Sequence, residues 1–175
     1  MDKPSSNLDF QLMSLSFKVR DFLFPRRKVL GEVGIQPGFK VLDYGCGPGS
    51  YITPLAELVG QAGEIYALDI HPLAIKKVQR LALRQGLTIV KAIQSDCKTG
   101  LPDDSMDVVL LYDIFHALSQ PDEVLQEICR ILKPTGVLSF NDHHMQEQEI
   151  RANLIKGKLF KLVRKGMKTY TFAKE

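Results

Sequence analysis

Short apolar runs alternate with helical segments along most of this chain, and this order restricts the fold more than any other feature. The apolar runs that we predict as strands are 39–44, 64–70, 87–93, 106–114 and 136–142. The segments between them that carry helical apolar spacing are 50–60, 71–86, 121–136 and 147–157. Strands separated by helices predict βαβ units and a mostly parallel sheet. Because most of these strands are almost wholly apolar, we expect helices to cover both faces of the sheet.

The two ends of the chain differ from this repeating order. Runs 158–165 and 168–174 meet across Gly166 and Met167, which predicts a closing hairpin and an antiparallel last strand. The first 35 residues hold two apolar helical segments separated by Pro25. Those segments either pack on the sheet as structural helices or form a cap over a ligand site, and the two interpretations are compatible.

Composition indicates a single globular domain in a reducing compartment. Of the 175 residues, 45% are hydrophobic and 25% are charged, an ordinary globular balance. No apolar run is long enough for a membrane span, and the N-terminus lacks the layout of a signal peptide. The three cysteines form no CxxC pair, so neither a disulfide framework nor a zinc site is indicated. We therefore expect a cytoplasmic protein without a metal.

Positive charge is concentrated at the C-terminal end. From residue 151 onward, eight Lys or Arg residues stand against the single acid Glu175. A solvated face of the terminal hairpin is the simpler interpretation, and a patch for nucleic acid or an anionic substrate is the alternative.

The segment VLDYGCGPGSY, at 41–51, links the first predicted strand to the first helix. Its glycines, Gly45, Gly47 and Gly49, allow the backbone to turn tightly and approach a ligand. The segment lacks the GxxxxGK[ST] pattern of a phosphate loop, and Ser50 occupies the third glycine position of a GxGxxG dinucleotide fingerprint. In doubly wound sheets, ligands bind at the carboxyl ends of the strands, where this turn lies.

Acidic residues stand at or just after the ends of three successive strands and indicate the kind of ligand. Asp43 precedes the glycines, where it would repel a pyrophosphate and attract a cationic group such as an ammonium. Asp69 ends the second strand, where a carboxylate can accept hydrogen bonds from ribose hydroxyls. Ile70 could pack on a base, and Asp96 could accept from the exocyclic amine of adenine. Ammonium, ribose and adenine together describe S-adenosylmethionine, whose product is S-adenosylhomocysteine.

Five motifs in order resemble those of a known family. VLDYGCGPGSY, IYALDI, QSDC, LPDDSMDVVLLYDIFHAL and EICRILKPTGVLSF are similar to the successive motifs of class I S-adenosylmethionine-dependent methyltransferases, and most of all to the ubiquinone/menaquinone biosynthesis group. The resemblance covers about residues 36–142. It implies an α/β, doubly wound, Rossmann-like sheet of seven strands with an antiparallel last strand. It also implies one methyltransferase domain, with a helical cap at 1–35, a cofactor-binding core at 36–142, and a short helix and hairpin at 143–175.

The resemblance also implies roles for individual residues. Asp43 and the backbone of Gly45 and Gly47 would hold the methionine part of the cofactor, with Gly49 completing the turn. Asp69 would bind the ribose. The residues implied around the adenine and the methyl group are Ile70, Asp96, the backbone of Cys97, Tyr112 and Asp113.

Four residues near the active edge are candidates for a general base. Asp113 and His116 follow the fourth strand, and His143 and His144 follow the fifth. We expect His116 to be structural before catalytic. Because neighbouring side chains tend to point apart, we expect at most one of His143 and His144 to face a substrate.

Several functions remain open on the sequence. We favour a methyltransferase that acts on a small-molecule acceptor. A methyltransferase for protein or RNA and a non-catalytic cofactor-binding partner subunit are the alternatives, and a nicotinamide oxidoreductase is disfavoured by Asp43 and Ser50. Nucleic acid is an unfavoured partner, a homodimer is an open option, and the atom that receives the methyl group is undetermined.

Overall fold

The computed structural model describes residues 4–175, and within them seven strands form one sheet. The strands are β1 (Lys40–Tyr44), β2 (Glu64–Asp69), β3 (Val90–Gln94), β4 (Met106–Tyr112), β5 (Leu132–Asn141), β6 (Phe160–Lys165) and β7 (Tyr170–Lys174). Their order across the sheet is β3-β2-β1-β4-β5-β7-β6. The pairs among β1 to β5 are parallel, and β7 runs antiparallel to both β5 and β6. The predicted doubly wound sheet with an antiparallel last strand is confirmed.

Six α-helices accompany the sheet in the described part of the chain. They are α1 (Asn7–Leu23), α2 (Arg26–Leu30), α3 (Ile52–Val59), α4 (Pro72–Gln85), α5 (Pro121–Ile131) and α6 (Glu147–Lys156), and a short 3-10 turn covers Phe115–Ala117. Helices α5 and α6 contribute to one buried cluster, and α2, α3 and α4 contribute to another. The predicted covering of both faces is therefore confirmed.

Strand β1 shows how the sequence sorts side chains between the two faces. Leu42 and Tyr44 pack in the cluster with α5 and α6, whereas Val41 packs in the cluster with α3 and α4. Because side chains alternate along a strand, Asp43 lies on the same face as Val41. The acid is thus carried to the end of a central strand inside an otherwise apolar face. Each neighbouring Val or Leu that is fully buried stabilises the fold by about 1.5–3 kcal/mol.

The predicted boundary between the last core helix and strand was wrong. We expected a helix over 121–136 followed by a strand over 136–142, but α5 ends at Ile131 and β5 begins at Leu132. Pro134 explains the early end, because its ring would clash with a helical carbonyl four residues back and it biases the preceding residue toward extended backbone. The proline therefore lies beyond the helix and inside the strand.

Two other strand boundaries also differ from the prediction. Strand β3 begins at Val90 rather than at residue 87, because residues 88 and 89 form a turn after α4. Strand β4 ends at Tyr112 rather than at residue 114, because Asp113 adopts a φ of +56°. A positive φ is uncommon for a residue with a side chain, and such residues concentrate at functional sites.

Candidate cofactor and active site

A cavity of about 310 Å³ lies at the carboxyl ends of β1, β2 and β4. A second cavity of about 190 Å³ adjoins it, and the two share Gly45, Asp69, Ile70, Ile114 and Ala117 in their walls. The strand order turns back between β1 and β4, which is where ligands bind in doubly wound sheets. The two cavities together form one cleft, and the predicted cofactor residues concentrate around it.

Asp43 lies in the floor of the larger cavity and is almost entirely buried. Its Oδ2 atom has no hydrogen-bond partner among the described residues. Burial, followed by repulsion from Asp69, raises the pKa of Asp43 to about 7. A buried carboxylate without a partner is costly, and a cationic ligand group would remove that cost. The site therefore fits a ligand that presents an ammonium to Asp43.

Asp69 joins the second strand to the glycine segment. Its Oδ2 accepts a hydrogen bond from the backbone N–H of Gly47, and its Oδ1 accepts one from the backbone N–H of His71, both at 2.8 Å. Burial raises the pKa of Asp69, although these backbone donors oppose the rise. Each carboxylate oxygen can accept more than one hydrogen bond, so lone pairs remain available for ribose hydroxyls. The positioning of the loop by Asp69 was not foreseen from the sequence.

Two of the three glycines are required for clear steric reasons. Gly45 has a φ of +81°, and a Cβ atom at this position would lie 2.5 Å from the Cδ1 atom of Ile114. Gly49 does not line either cavity, and a Cβ atom there would lie 3.2 Å from Val78 of α4. Gly45 therefore allows close approach at the cavity, and Gly49 allows close packing of the loop on a helix.

The smaller cavity contains the side chains expected around an adenine. Ile70 and Asp96 both line it. Cys97 lies behind this wall rather than in it: its carbonyl accepts a hydrogen bond from the hydroxyl of Tyr44 at 3.0 Å, and its N–H donates to Ser95. Tyr44 thus anchors the segment that carries Asp96. The geometry brings Asp96 to the cleft and leaves Cys97 in a supporting position.

Tyr112 and Tyr51 form an aromatic pair in the wall of the larger cavity, with ring centroids 5.1 Å apart. The hydroxyl of Tyr112 is 2.6 Å from that of Ser139, and burial raises the pKa of the phenol well above its ordinary value. Tyr112 is therefore a neutral, fixed wall residue. Tyr51 was not predicted as a site residue, although it is the last residue of the segment 41–51.

Helix α1 supplies the outer wall of the larger cavity through Phe10, Met13 and Phe17. They belong to the first of the two apolar helical segments predicted in residues 1–35, and the structure places these three side chains on the cavity. Arg20 completes the wall: its guanidinium lies 4.0 Å from the ring centroid of Phe17 and 3.9 Å from Asp113. Sequence reasoning missed Arg20, and its position one turn after Phe17 was the signal that could have found it.

His71 is a third residue that sequence reasoning missed. It caps α4, with Nδ1 accepting a hydrogen bond from the N–H of Leu73 at 3.1 Å, and its ring stacks on Phe10 at 4.3 Å. Its Nε2 atom is buried and has no hydrogen-bond partner among the described residues. The position before Pro72, at the start of a predicted helix, was the available signal for a capping residue.

Of the four candidate bases, Asp113 is the one that lines the cavity. Its Oδ1 atom lies 2.8 Å from Nδ1 of His143 and also accepts a hydrogen bond from the N–H of that residue. The positive φ of Asp113 turns its side chain out of the strand direction. The exposed His143 is therefore linked to the cavity through Asp113 rather than placed in it.

His116 and His144 form a separate group with Asp142. The Nδ1 atom of His116 lies 2.9 Å from both carboxylate oxygens of Asp142, and the N–H of His144 donates to the same carboxylate. Burial opposes the ionisation of Asp142, but these hydrogen bonds outweigh it and lower its pKa. The expected structural use of His116 agrees with this geometry.

The expectation that His143 and His144 point apart was wrong. Their ring centroids are 3.9 Å apart, and the ring of His144 lies a further 4.1 Å from that of His116. The reason is local: residues 143–145 form a turn and a bend, so the alternation of an extended strand does not apply.

Asp113, Asp142 and His143 present ligand atoms that lie within 4.8 Å of one another, a spacing that could hold a metal ion. Their polar atoms already bond to one another and to neighbouring N–H groups. The absence of a metal cofactor stays a prediction.

Part of the C-terminal positive charge is paired within the fold. Lys165 and Arg151 contact Glu147, and Lys174 contacts Asp104 at 2.8 Å. These contacts agree with a partly neutralised surface.

The profile of the family described as "Methyltransferase domain" matches residues 35–173, which is most of the chain. The chain belongs to this methyltransferase family. Its cofactor is S-adenosylmethionine, the methyl donor of the S-adenosylmethionine-dependent methyltransferases that share its fold.

Several known proteins are similar to this chain. A crystal structure of a SAM-dependent methyltransferase from Aquifex aeolicus is 26% identical with a TM-score of 0.83, and the match covers 97% of this chain and 98% of that one. The demethylmenaquinone methyltransferase of Geobacillus kaustophilus is 33% identical over 139 residues, 78% of this chain and 58% of its own length. The ubiquinone/menaquinone biosynthesis C-methyltransferase UbiE of Laribacter hongkongensis is 32% identical over 109 residues, 62% of this chain and 45% of its own length.

The chain thus spans about half the length of the curated relatives it matches. Within residues 4–175, no helix has the length and apolar character needed to cross a bilayer.

Proposed function

We propose that this methyltransferase moves the methyl group of S-adenosylmethionine to a small, largely apolar acceptor that carries a hydroxyl or amine group. One observation carries the proposal: a single cavity has the unpartnered Asp43 at its floor and the apolar side chains of Phe10, Met13 and Phe17 in its outer wall. The floor suits the cationic end of the cofactor, and the wall suits an apolar acceptor.

The cofactor residues divide along the cleft. Asp43 would receive the ammonium of the cofactor, next to the backbone of Gly45 and Gly47. Asp69 would accept hydrogen bonds from the ribose, and Ile70 and Asp96 would flank the adenine in the smaller cavity. When bound, the cofactor supplies a methyl group already activated by its positive sulfur.

The protein's own contribution is orientation and the exclusion of water. Holding donor and acceptor in line can supply on the order of 7–11 kcal/mol of the barrier. The aromatic pair Tyr51 and Tyr112 lines the same cavity as Phe10 and Phe17 of α1. An acceptor held between these rings would be both desolvated and restricted in direction.

Asp113 is the group that we assign to the acceptor's proton. It lies in the cavity wall, and its carboxylate is held by His143 at 2.8 Å and faced by Arg20 at 3.9 Å. The acceptor's O–H or N–H proton would pass to the Asp113 carboxylate as that oxygen or nitrogen bonds to the methyl carbon, while the bond from this carbon to sulfur breaks and S-adenosylhomocysteine leaves. His143 acts here as a positioning residue, because it contacts Asp113 and does not line the cavity.

The names of the relatives favour a ring compound as the acceptor. They are called methyltransferases of ubiquinone/menaquinone biosynthesis and of demethylmenaquinone. On that likeness, and because aromatic and apolar side chains line the cavity, we propose a hydroxylated aromatic ring of the quinol type as the acceptor class.

A screen that detects release of S-adenosylhomocysteine tests this proposal. Hydroxylated aromatic compounds, peptides and RNA serve as acceptors, and Asp43→Asn serves as the cofactor-site control. We expect release with the aromatic compounds and little with Asp43→Asn. Release with RNA or peptide alone would support a macromolecular substrate instead. Firm binding of S-adenosylhomocysteine without turnover on any acceptor would support a non-catalytic partner subunit.

A further inference from the structure

Helix α1 carries a second apolar face that packs against nothing in the described chain. Leu8, Leu12, Leu15, Val19 and Phe22 recur at alternating intervals of four and three residues, which places them on one side of a helix. Each of these side chains is at least 57% exposed, and Phe22 is 86% exposed. We call this face the apolar stripe. A continuous apolar face of five exposed large side chains on a protein surface marks an interaction site.

The apolar stripe lies on the side of α1 that faces away from the cavity. Phe10 and Phe17 point to the cavity, and on a helical projection they lie roughly opposite Leu8 and Val19. Burial follows the same division, since Phe10 is 2% exposed and Leu8 is 67% exposed. Core packing thus explains one apolar face of α1 and leaves the other unexplained.

A group of cations borders the apolar stripe along one edge. Lys18 of α1 and Lys76, Lys77 and Arg80 of α4 line a shared groove, which has no acidic residue in its walls. We call these four residues the cationic rim. None of them has a salt bridge to a carboxylate within residues 4–175. Burial, and then the nearby Lys18, lowers the pKa of Lys77, as expected for cations gathered without a counter-ion.

We propose that α1 docks this protein on the surface of an anionic lipid bilayer, with the apolar stripe in the acyl boundary and the cationic rim against the headgroups. Leu and Phe on one face with Lys and Arg beside them is the arrangement by which helices lie in a membrane interface without spanning it. The cationic rim favours an anionic bilayer as the binding partner, because an anionic surface supplies the negative charge that the groove lacks.

A second copy of the chain matches the charge less well. In an antiparallel pairing of two α1 helices, the same flank of each helix meets, so the flank with Lys18 would meet another flank that carries Lys18. In a parallel pairing, the flank with Lys18 would meet the flank with Asp9 and Ser16, and Asp9 is already hydrogen-bonded to Ser6. Neither arrangement neutralises Lys76 and Arg80 of α4.

Docking would place the cavity directly beneath the helix that contacts the lipid. An apolar acceptor dissolved in the bilayer would then pass around α1 to reach Phe10 and Phe17, without entering bulk water. This consequence rests on the proposed function, whereas the docking itself does not.

Flotation with lipid vesicles, without cofactor or acceptor, tests the docking. The full chain is mixed with vesicles of phosphatidylcholine alone or with equal parts of phosphatidylglycerol, at low and high sodium chloride. We expect binding to the phosphatidylglycerol vesicles, weakening as salt rises, and little binding to phosphatidylcholine. Absence of binding to the anionic vesicles, or equal binding to both kinds, would overturn the proposal.

Two double variants locate the docking face. Leu12→Gln with Val19→Gln removes part of the apolar stripe, and Val163→Gln with Met167→Gln is the matched control on exposed apolar residues of the hairpin. Lys76→Gln with Arg80→Gln removes half of the cationic rim, and Lys156→Gln with Lys161→Gln is its exposed control. The rim variant is expected to bind about 25-fold more weakly, since each of the two cations contributes about a fivefold factor near an anionic surface. The stripe variant is expected to lose flotation, and both controls to float as the wild type does.

Each variant is also tested for binding of S-adenosylhomocysteine. A variant that binds it is folded, so this measurement separates the docking test from the test of the proposed function. A stripe variant that retains that binding and still floats like the wild type overturns the docking. So does a stripe-dependent dimer in sedimentation that shows no affinity for vesicles.

Discussion

The side chain of Asp69 and the backbone N–H of Gly47 are joined by a hydrogen bond of 2.8 Å that spans 22 positions of the sequence. The other oxygen of Asp69 holds the first residues of α4 through the N–H of His71. One carboxylate at the end of β2 therefore fixes the glycine segment after β1 before any ligand binds. This is a role beyond the contact with ribose that the motif implied.

Replacement of Asp69 by Ala tests this positioning role in the cofactor-free protein. We expect the backbone amides of Gly47 and His71 to exchange with solvent about 5- to 150-fold faster, since a buried N–H that loses its acceptor costs about 1–3 kcal/mol. Hydrogen exchange measured by NMR reports both amides. Asp43→Ala is the control, because both amides donate to Asp69 rather than to Asp43. Unchanged exchange in Asp69→Ala would show that Asp69 serves the ligand alone.

Gly45→Ala tests the close approach of the loop to Ile114. Gly38 has a similar φ of +84°, against +81° for Gly45, but a Cβ atom there would meet nothing within 4 Å. Both substitutions introduce the backbone strain of a positive φ, and Gly45→Ala also brings a Cβ atom into overlap with Ile114. We expect its free energy of unfolding to fall by about 1–3 kcal/mol more than that of Gly38→Ala. Urea denaturation measures both, and equal losses would contradict the steric account.

The raised pKa of Asp43 predicts a particular dependence of stability on pH. In the unfolded chain this carboxyl titrates near 3.8, and in the folded chain near 7. Between these values the folded state binds more protons, so the contribution of Asp43 lowers the free energy of unfolding as pH rises from about 4 to 7. Thermal denaturation of the cofactor-free wild type and Asp43→Asn should show a stability difference that grows in favour of the variant across this window. A difference that is constant with pH would mean that Asp43 is already ionised at low pH.

Much of the fold followed from the sequence because its signals are local. Apolar runs bounded by glycine and proline predicted the strands, and the motif order predicted which acids would meet at one edge. The errors in the helix and strand boundaries arose where a single residue overrides the apolar pattern of the residues around it. Pro134 ended α5 early, and the positive φ of Asp113 shortened β4.

The parts of the site that were missed depend on contacts between distant segments. Arg20 approaches Asp113, and Phe10 stacks on His71, only after α1 lies across the ends of the strands. The unpartnered Nε2 atom of His71 is likewise a property of burial, which no local pattern indicates. His143 and His144 were expected to point apart because neighbouring side chains tend to do so, but the turn at 143–144 brings their rings together.

Asp113→Asn tests the proposed proton acceptor. An amide cannot take the acceptor's proton, so we expect kcat to fall about 10²- to 10⁴-fold with a smaller change in KM, the range typical of lost general base catalysis. His143→Gln should have a weaker effect that shifts the pH profile, because His143 acts through Asp113. Steady-state kinetics on an acceptor found in the screen give both numbers, with His116→Gln as the control bonded to Asp142 instead. A rise in KM alone, with kcat unchanged, would show that Asp113 takes no part in the chemical step.

The most direct test of the account is calorimetry that compares S-adenosylhomocysteine with NAD on the wild type and Asp43→Asn. We predict that the wild type binds S-adenosylhomocysteine and not NAD. We also predict that Asp43→Asn weakens this binding by about 10- to 150-fold, the range of a hydrogen bond to a charged group. Preferential binding of NAD, or equal affinity of Asp43→Asn and the wild type for S-adenosylhomocysteine, would contradict the assignment of Asp43 to the cofactor's ammonium.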